Sequence, residues 1–446
     1  MDYTPHTEDD ITTMLEALGL SSVDDLKAPI PEPLRLPSLD LPPGLTEMEA
    51  TRLVDAIAAE AGATAPEISF LGAGAYDHFT PSVVDATISR GEFFTAYTPY
   101  QPEVSQGTLR VIFEFQTMMC ELTGMEVSNA SMYDGSSALA EAVLMAVRIR
   151  EAKRVIVPRS LHPFYRQVVE TYTRGIGLEI VTAPWTAEGT MDLDWLSDQA
   201  NDDVTAVVVQ NPNFLGVLEP LDQIGALLAD RAPSFIAAVN PMTLGQVEPP
   251  GSYGADIVVG DGQPLGLPLS FGGPYVGFFT TRQSHIRRMP GRIVGQTTDV
   301  NGKRAFVLTL KTREQDIRRD KATSNICTNQ TLCGTAVTVY LSALGPKGLE
   351  EVGAVSWSRA HRAREGLSSL PGVESPFEGA FFNEFVWKSP IPAQDLLSKV
   401  AQSGISAGVD LGVFDPGLSD CILTCATEKR SEEDIARLVS AVGEAL

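Results

Sequence analysis

The sequence predicts an α/β protein with a mostly parallel sheet, an N-terminal helical arm and a small C-terminal α+β domain. From about residue 155, short runs rich in Val and Ile alternate with helix-like stretches, a rhythm typical of strands that are buried on both faces. The early residues are helical and punctuated by proline, and the pattern changes again near the C-terminus. We therefore expect an arm over residues 1–68, a large domain over 69–335 and a small domain over 336–446.

The arm is predicted to contain two helices joined by a proline-rich segment. A capping-box pattern at Thr7–Asp10 begins the first helix, which ends at Gly19. The second helix is expected over Glu47–Ala61. Six prolines between residues 29 and 43 exclude both a helix and a central strand there, so this segment should lie over another surface.

Six apolar runs in the middle of the chain are predicted strands of the parallel sheet. They are Val155–Val157, Glu179–Val181, Thr205–Val209, Phe235–Val239, Asp256–Val259 and Val276–Phe279. Helices are expected before the sheet, over Thr108–Cys120 and Ala138–Arg150. In the small domain, Phe381–Trp387 and Cys421–Cys425 are predicted strands, and Ser431–Leu446 is predicted as the closing helix.

Composition limits the partners of the protein. The 446 residues carry 33 Lys+Arg against 57 Asp+Glu, a formal charge of −24, so binding to nucleic acid through a basic face is not expected. We expect no secretory leader and no membrane span, because no run of about 18 apolar residues occurs. The five cysteines are expected to be free thiols of a cytoplasmic protein. Cys421 and Cys425 should pack in the core, and no metal site is expected.

A first candidate site is the stretch Ser128–Ala138, where small polar residues and Gly135 lead into a helix. Backbone N–H groups at such a helix start, with the hydroxyls of Ser136 and Ser137, form a natural cradle for an anion. An ordinary capped helix explains the same residues, so this stretch alone leaves both interpretations open.

A second candidate is the loop Phe93–Gly107, which precedes the next predicted helix. It combines Tyr97, Tyr100 and Gln101 with two prolines, and phenols are poor core material because each buried hydroxyl needs a partner. A binding loop is the sharper hypothesis, and turn packing at a subunit contact is the alternative.

The strand ends supply a third group, because ligands bind at the carboxyl ends of strands in open parallel sheets. Polar residues follow three predicted strands, at Gln210–Asn213, Val239–Met242 and Gly260–Pro264. His162, just beyond the first strand, is placed to stack on a flat ring at this edge. A satisfied, half-buried histidine is the alternative interpretation.

A fourth candidate is the charged segment Lys311–Asn329. It concentrates basic side chains, among them Arg313, in a protein that is otherwise acidic, and alternating charges usually mark a solvated helix face. The polar Thr323, Ser324 and Asn325 are harder to assign to the surface. They precede the next apolar helix, where hydroxyls and a helix start are expected to reach a phosphate.

A helical cradle, a parallel sheet of this length and a small C-terminal domain together resemble the aminotransferase-like, fold-type I enzymes that use pyridoxal phosphate (PLP). Particular strings resemble the glycine cleavage system P-protein family, namely Phe70–His78, Tyr97–Gly107, Tyr133–Gly135, Thr312–Gln315 and Lys321–Thr328. The resemblance covers essentially the whole chain, and the length fits the alpha subunit of the two-subunit bacterial form.

One departure from the PLP-enzyme pattern is informative. A fold-type I enzyme needs a lysine just after a strand to hold PLP as a Schiff base, and usually an Asp beside the pyridine nitrogen. No lysine occurs between Lys153 and Lys303, and the expected positions hold Gln263 and Asn240. We therefore expect no Schiff-base lysine in this chain.

The resemblance implies a shared site. A partner beta subunit would hold PLP covalently in an α2β2 assembly, where glycine loses CO2 and the aminomethyl group passes to the lipoyl arm of H-protein. Tyr97, Tyr100 and Gln101 would then face the partner's glycine and PLP, while Thr323 and Ser324 would approach the PLP phosphate. One arginine would neutralise the substrate carboxylate or an interface charge, and three remain open for that role: Arg313, Arg318 and Arg319.

Two other hypotheses remain. One is a self-sufficient PLP enzyme of the same fold that uses Lys303, Lys311 or Lys321, although these lysines lie beyond the sheet strands and among charged residues. The other is a non-catalytic scaffold that only stabilises the beta chain or docks H-protein.

Overall fold

The computed structural model describes residues 5–36, 40–62 and 66–446. The chain divides into two compact units, Met1–Ala65 and Pro66–Leu446. The predicted domain boundaries after residues 68 and 335 stay predictions.

The N-terminal unit contains the two helices expected in the arm, α1 (Glu8–Leu18) and α2 (Glu47–Gly62). Thr7 and Asp10 form the predicted capping box, in which the Asp10 N–H donates to Oγ1 of Thr7 and the Thr7 N–H donates to Oδ2 of Asp10. Gly19 ends α1 in the left-handed conformation, which glycine adopts without steric cost.

The proline-rich segment contains one turn of 3₁₀ helix, at Glu32–Leu34. The exclusion of any helix was therefore wrong for these three residues. Proline is tolerated there because its fixed φ suits the first positions of a helix. Residues 37–39 of the segment lie outside the described residues.

A seven-stranded sheet forms the centre of the larger unit. The strands of the described residues are, in chain order, β1 (Ile68–Ser69), β2 (Val127–Ser128), β3 (Arg154–Pro158), β4 (Glu179–Ala183), β5 (Val204–Asn211), β6 (Ser234–Val239), β7 (Ile257–Asp261), β8 (Gly277–Thr281), β9 (Ile293–Thr298), β10 (Arg304–Thr309), β11 (Glu384–Lys388), β12 (Ile405–Ser406), β13 (Val409–Asp410) and β14 (Cys421–Cys425). The sheet order is β2-β8-β7-β6-β5-β3-β4. Strands β3 to β7 are parallel, whereas β8 is antiparallel to β7 and β2. The prediction of a mostly parallel sheet is confirmed.

Each of the six predicted apolar runs lies in this sheet, and burial follows strand position. The central strands β5, β6 and β7 are almost entirely buried, as expected for strands covered on both faces. At the edge, β4 is mostly exposed or half-buried. The antiparallel direction of β8 was not predicted, because an apolar run carries no information about strand direction.

The helices of the larger unit continue the numbering. They are α3 (Ser82–Ile88), α4 (Gly91–Phe94), α5 (Gln106–Thr123), α6 (Gly135–Ile149), α7 (Pro163–Thr173), α8 (Leu193–Gln199), α9 (Leu221–Leu228), α10 (Gln315–Arg318), α11 (Thr331–Ser368), α12 (Ala393–Ala401) and α13 (Glu432–Ala445). Most of α6 is buried, and the helix begins at Gly135, three residues before its predicted start. None of the described helices is long and apolar enough to cross a membrane.

The C-terminal part contains a three-stranded antiparallel sheet in the order β11-β14-β13. Trp387, Leu396 and Leu438 pack in one apolar core that joins this sheet to α12 and α13. The predicted strand Cys421–Cys425 is β14, and both thiols are free and buried. Strand β11 begins at Glu384, three residues later than predicted.

The sequence did not predict the hairpin before the charged segment or the full length of the helix after it. Strands β9 and β10 form an antiparallel hairpin between the main sheet and the charged segment. Helix α11 is 38 residues long and spans the predicted boundary between residues 335 and 336. It bends at Gly345, where φ is 65° and Pro346 follows, because proline removes a helical hydrogen bond.

Glu384 on β11 ties the small sheet to the segment that follows β1. Its side chain accepts hydrogen bonds from the Ala73 N–H (2.5 Å) and from the Tyr76 hydroxyl (3.0 Å). Burial raises the pKa of Glu384 to about 7, against the opposing effect of these two donors. A Cβ atom on Gly72 would collide with this carboxylate, so the glycine permits the close approach.

Replacing Glu384 with Gln should flatten the pH dependence of stability. The folded protein binds this proton more tightly than the unfolded chain, whose carboxyl has the ordinary pKa of 4.5. Glu384 therefore lowers the free energy of unfolding as the pH rises from about 4.5 to about 7. The wild type should lose at most about 3 kcal/mol of unfolding free energy over that pH range because of this group. We expect Glu384→Gln to abolish this loss.

Urea unfolding of the wild type and the variant on either side of this range measures the difference. Glu374→Gln is the control, because Glu374 is an exposed carboxylate paired with Lys388, which lies on β11 with Glu384. Identical pH slopes for wild type and Glu384→Gln would contradict a raised pKa.

Candidate functional site

The first part of the candidate site is the start of α6, which Asp134 caps. Oδ1 of Asp134 accepts hydrogen bonds from the Ser137 N–H (2.7 Å) and from the Ser136 hydroxyl (2.7 Å). The Ser137 hydroxyl completes the capping box by accepting from the Asp134 N–H at 3.2 Å. The hydroxyl of Ser136, predicted to bind an anion such as a cofactor phosphate, is therefore used inside the cap.

A second carboxylate, from the end of β7, reaches the same helix start. Oδ2 of Asp261 accepts from the Gly135 N–H at 2.9 Å, and Oδ1 accepts from the Gln263 N–H at 2.9 Å. Burial raises the pKa of Asp261 to about 7, and the charge of Asp134 adds to the rise, while the backbone donors oppose it. The Tyr165 hydroxyl covers Gly135 so closely that a Cβ atom there would collide with it.

Gln263 occupies the region where a Schiff-base lysine was expected. Its side chain is 1% exposed. Oε1 accepts from the Tyr76 N–H at 2.8 Å, and Nε2 donates to the carbonyls of Tyr76 and Leu267, both at 2.9 Å. These bonds fix the amide between two segments of backbone, so Gln263 acts in packing.

His162 lies beside these residues, and both nitrogens of its ring are hydrogen-bonded to backbone groups. Nε2 donates to the Ala73 carbonyl at 2.8 Å, and Nδ1 accepts from the Phe164 N–H at 3.1 Å. This pattern assigns the neutral tautomer, and burial lowers the pKa of His162. The ring packs against Tyr165 and Phe214, with centroid distances of 5.1 and 4.9 Å. The geometry matches the alternative of a satisfied histidine, and stacking on a ligand stays a prediction.

The space enclosed by these side chains is small. His162, Tyr165, Asn240 and Asp261 line a cavity of about 30 Å³, far below the several hundred Å³ typical of a ligand pocket. No lysine is among the lining residues. The residues present therefore do not fit PLP, because the cavity has no room for the ring and Asp261 lies at the helix start where a phosphate would bind.

The loop containing residues 97–101, called the 97–101 loop below, lies at the surface. Tyr97 is 69% exposed and Tyr100 is 47% exposed, and Gln101 is also exposed. The Tyr97 hydroxyl lies 3.4 Å from Oγ1 of Thr328. The structure therefore brings this loop against the end of the charged segment.

Arg292, which the sequence analysis missed, organises the 97–101 loop. Its side chain is 4% exposed and forms an ion pair with Glu314 at 3.4 Å. Nη1 donates to the Thr98 hydroxyl at 3.2 Å, and Nη2 donates to the Tyr100 hydroxyl at 2.9 Å. One sequence signal was available: a charged residue directly before the apolar pair at 293–294 needs a partner if it is buried.

The segment of residues 323–328, called the 323–328 segment, borders an open groove of about 480 Å³. Thr323, Ser324 and Asn325 line this groove together with Glu141. The Ser324 hydroxyl donates to Oε1 of Glu141 at 2.8 Å, and the Thr323 N–H donates to the Arg313 carbonyl at 3.0 Å. Burial raises the pKa of Glu141, although the Ser324 hydroxyl and Arg148 oppose the rise.

Arg313, predicted to meet a substrate carboxylate, contacts the backbone instead. Its guanidinium donates to the carbonyls of Leu310 (3.1 Å), Met289 and Gly291 (2.9 Å). To bind a carboxylate it would have to give up some of these bonds. A contact between Arg313 and substrate stays a prediction. Among the described residues, no cluster of His, Cys, Asp and Glu is arranged to hold a metal ion.

Comparison with known proteins agrees with the fold and the sequence strings. The model of the family "Glycine cleavage system P-protein" matches residues 1–442. A relative from Geobacillus kaustophilus, named "Probable glycine dehydrogenase (decarboxylating) subunit 1", is 49% identical over 443 residues, which is 99% of this chain and 98% of the relative.

Solved structures extend this likeness. A crystal structure of glycine decarboxylase (P-protein) of the glycine cleavage system, in inhibitor-bound form, superposes with a TM-score of 0.92 at 44% identity and covers 100% of both chains. A sphingosine-1-phosphate lyase from Burkholderia pseudomallei superposes with a TM-score of 0.67 at 14% identity, covering 93% of this chain and 94% of its own, and shows the fold alone. The predicted aminotransferase-like, fold-type I class is confirmed. The chain belongs to the glycine cleavage system P-protein family.

Proposed function

We propose that the chain is the alpha subunit, subunit 1, of a glycine dehydrogenase (decarboxylating), and that it completes an active site whose PLP is held by a partner beta subunit. The names of its relatives support the first half. The observation that supports placing PLP on the partner in this proposal is the small size of the cavity, about 30 Å³, and the absence of a lysine from its lining. In this proposal the chain is active only in the heteromer.

In the shared site, PLP on the partner supplies an electron sink for the loss of CO2 from glycine. The aminomethyl group then passes to the lipoyl arm of H-protein. The proposed assembly is an α2β2 heterotetramer of the cytoplasm. This chain contributes polar groups that bind and orient the reactants.

The two phenols of the 97–101 loop are the groups best placed to reach a partner's site. The Tyr100 oxygen accepts from Arg292, so its own O–H remains free to donate to an anionic acceptor such as a substrate carboxylate. Tyr97 lies beside Thr328 and is exposed. Aromatic side chains with one polar tip are enriched at protein interfaces, and Gln101 belongs to the same exposed surface.

Arg292 acts as a positioning residue in this proposal. It is buried and paired with Glu314, so it is not expected to touch substrate. Its bonds to Thr98 and Tyr100 fix the direction of the phenol. Catalytic groups must be held within fractions of an ångström of their productive geometry, which makes such support important for the rate.

The 323–328 segment is proposed to approach the phosphate of the partner's PLP. Thr323 donates its backbone N–H to the Arg313 carbonyl and lines the open groove with its side chain, and Asn325 is exposed. The Ser324 hydroxyl is committed to Glu141 and would contribute only after rotation. Thr323 and Asn325 are therefore the stronger candidates for phosphate contact.

A self-sufficient enzyme remains the second candidate, and one observation favours it over a scaffold. Of the three lysines considered, Lys311 lies near the 97–101 loop, with Nζ 5.0 Å from the centre of the Tyr100 ring. Its ammonium is also paired with Asp316 at 3.3 Å.

Borohydride trapping distinguishes these two candidates. The reconstituted heteromer is loaded with PLP, reduced and digested, and the phosphopyridoxyl-lysine is located by mass spectrometry. We expect the label on the partner subunit alone. Stoichiometric labelling of Lys303, Lys311 or Lys321 would contradict the shared-site proposal.

Tyr100→Phe and Tyr97→Phe should lower glycine–bicarbonate exchange in the reconstituted heteromer, by about 10²-fold for a hydroxyl that acts in the reaction. Assembly, measured by size-exclusion chromatography, should not change because phenylalanine keeps the aromatic ring and loses only the hydroxyl. Tyr253→Phe is the control, since Tyr253 lines a separate groove beside the first residues of β6. Full activity of both loop variants would leave only the scaffold role.

Arg292→Lys should lower the same exchange while the charge facing Glu314 is kept. The planar fork that reaches Thr98 and Tyr100 is lost, and lysine cannot reproduce it. The informative measurement is the double variant. If Arg292 acts through Tyr100, Arg292→Lys has little further effect in the Tyr100→Phe background. Independent, multiplying effects would contradict a positioning role, and Arg304→Lys on β10 is the exposed control.

A further inference from the structure

Two carboxylates meet the start of α6, and capping explains only one of them. Asp134 accepts from the Ser137 N–H, as an ordinary capping residue does. Asp261 comes from a strand 126 positions further along the chain and takes the N–H of Gly135. The other free N–H groups of a helix start are commonly met by water or a ligand, whereas two like charges placed together repel each other.

The second carboxylate nevertheless lies in a set of donors suited to an anion. The Gly135 N–H and the Gln263 N–H each donate to one oxygen of Asp261, both at 2.9 Å. The start of α6, a helix of 15 residues, adds the partial positive charge of its dipole. This geometry is the one by which helix starts bind phosphate groups.

Two more donors face the same space. The Tyr165 hydroxyl lies directly over Gly135, and burial, with the charges of Asp261 and Asp134, raises the pKa of this phenol, so it keeps its proton. Nδ2 of Asn240 is buried, has no hydrogen-bond partner among the described residues and belongs to a side chain that lines the cavity. An unpaired buried donor of this kind indicates a site that can bind a hydrogen-bond acceptor.

We propose that Asp261 is an internal substitute for a bound phosphate, and that removing its carboxylate opens a site for inorganic phosphate at the start of α6. The chain thereby satisfies its own anion-binding helix start and folds without a ligand there. The Asp261 side chain is slightly smaller than phosphate, and the adjoining cavity supplies further space. Only residues of this chain take part, whatever reaction the assembled protein catalyses.

The test compares thermal unfolding of the full chain and of Asp261→Gly in sodium phosphate and in sodium chloride of equal ionic strength. In chloride the variant should unfold at a lower temperature than the wild type, because the Gly135 and Gln263 N–H groups lose their acceptor. In phosphate it should regain stability saturably. At a concentration about 100 times the dissociation constant, its unfolding equilibrium constant should fall about 100-fold.

The wild type and Asp299→Gly are the controls. Asp299 also accepts from two backbone N–H groups, of Asn301 and Lys303, but lies in an exposed turn rather than at a helix start. Both controls should respond equally to phosphate and chloride. Calorimetric titration of Asp261→Gly with inorganic phosphate should show binding that the controls lack.

An equal response of all three proteins to the two salts overturns the proposal. If Asp261→Gly is recovered unfolded, its refolding yield in phosphate and in chloride replaces the melting measurement, and Asp261→Ser is measured alongside it. A yield that rises only in phosphate supports the internal-anion role. Failure of both variants to refold in phosphate, where the wild type refolds, overturns it.

Discussion

The start of α6 is the constraint on which the centre of this molecule depends. Its N–H groups require acceptors, and its dipole favours a negative charge. Asp261 meets both needs because β7 ends beside the helix, and its carboxylate bridges the Gly135 and Gln263 N–H groups. The strand end, the helix start and the segment after β1 are thereby joined, since Gln263 in turn holds both backbone groups of Tyr76. The edge of the sheet where related folds bind ligands is here part of the packed core.

In the 97–101 loop, exposed phenol side chains stand on a base of hydrogen-bonded residues. The base is the hairpin of β9 and β10, where the Gln106 side chain exchanges two hydrogen bonds of 2.9 Å with the backbone of Phe306. Arg292 adds the buried ion pair with Glu314 and directs the hydroxyl of Tyr100. Removing one partner of a buried ion pair is strongly destabilising, because the other charge is left without compensation. The phenols above it remain exposed, which is the arrangement expected of groups that meet a partner.

Much of the fold was predictable, and the failures have physical causes. The runs around Val207 and Ile236 indicated buried strands because Val and Ile favour pleated, two-sided burial. The hairpin of β9 and β10 was missed because it is short and partly polar. At the site, the absence of a lysine was visible in the sequence, and the lining of the cavity is consistent with it. The meeting of Gly135 and Asp261 was not predictable, because no local pattern connects residues 126 positions apart.

The proposed substitution of Asp261 for a phosphate at the start of α6 bears on assembly. A subunit that depends on a bound cofactor gains stability from it in proportion to occupancy, so its folding follows the supply of that cofactor. Here Asp261 accepts from the Gly135 N–H, and Gln263 donates to the Leu267 carbonyl, within the chain itself. If Asp261 substitutes for a phosphate as proposed, the stability of this chain does not depend on the supply of cofactor. The buried edge of the sheet then serves as a scaffold. In the proposed heteromer, the partner covers the surface where Tyr97 meets Thr328, whose side chains lie outside the core.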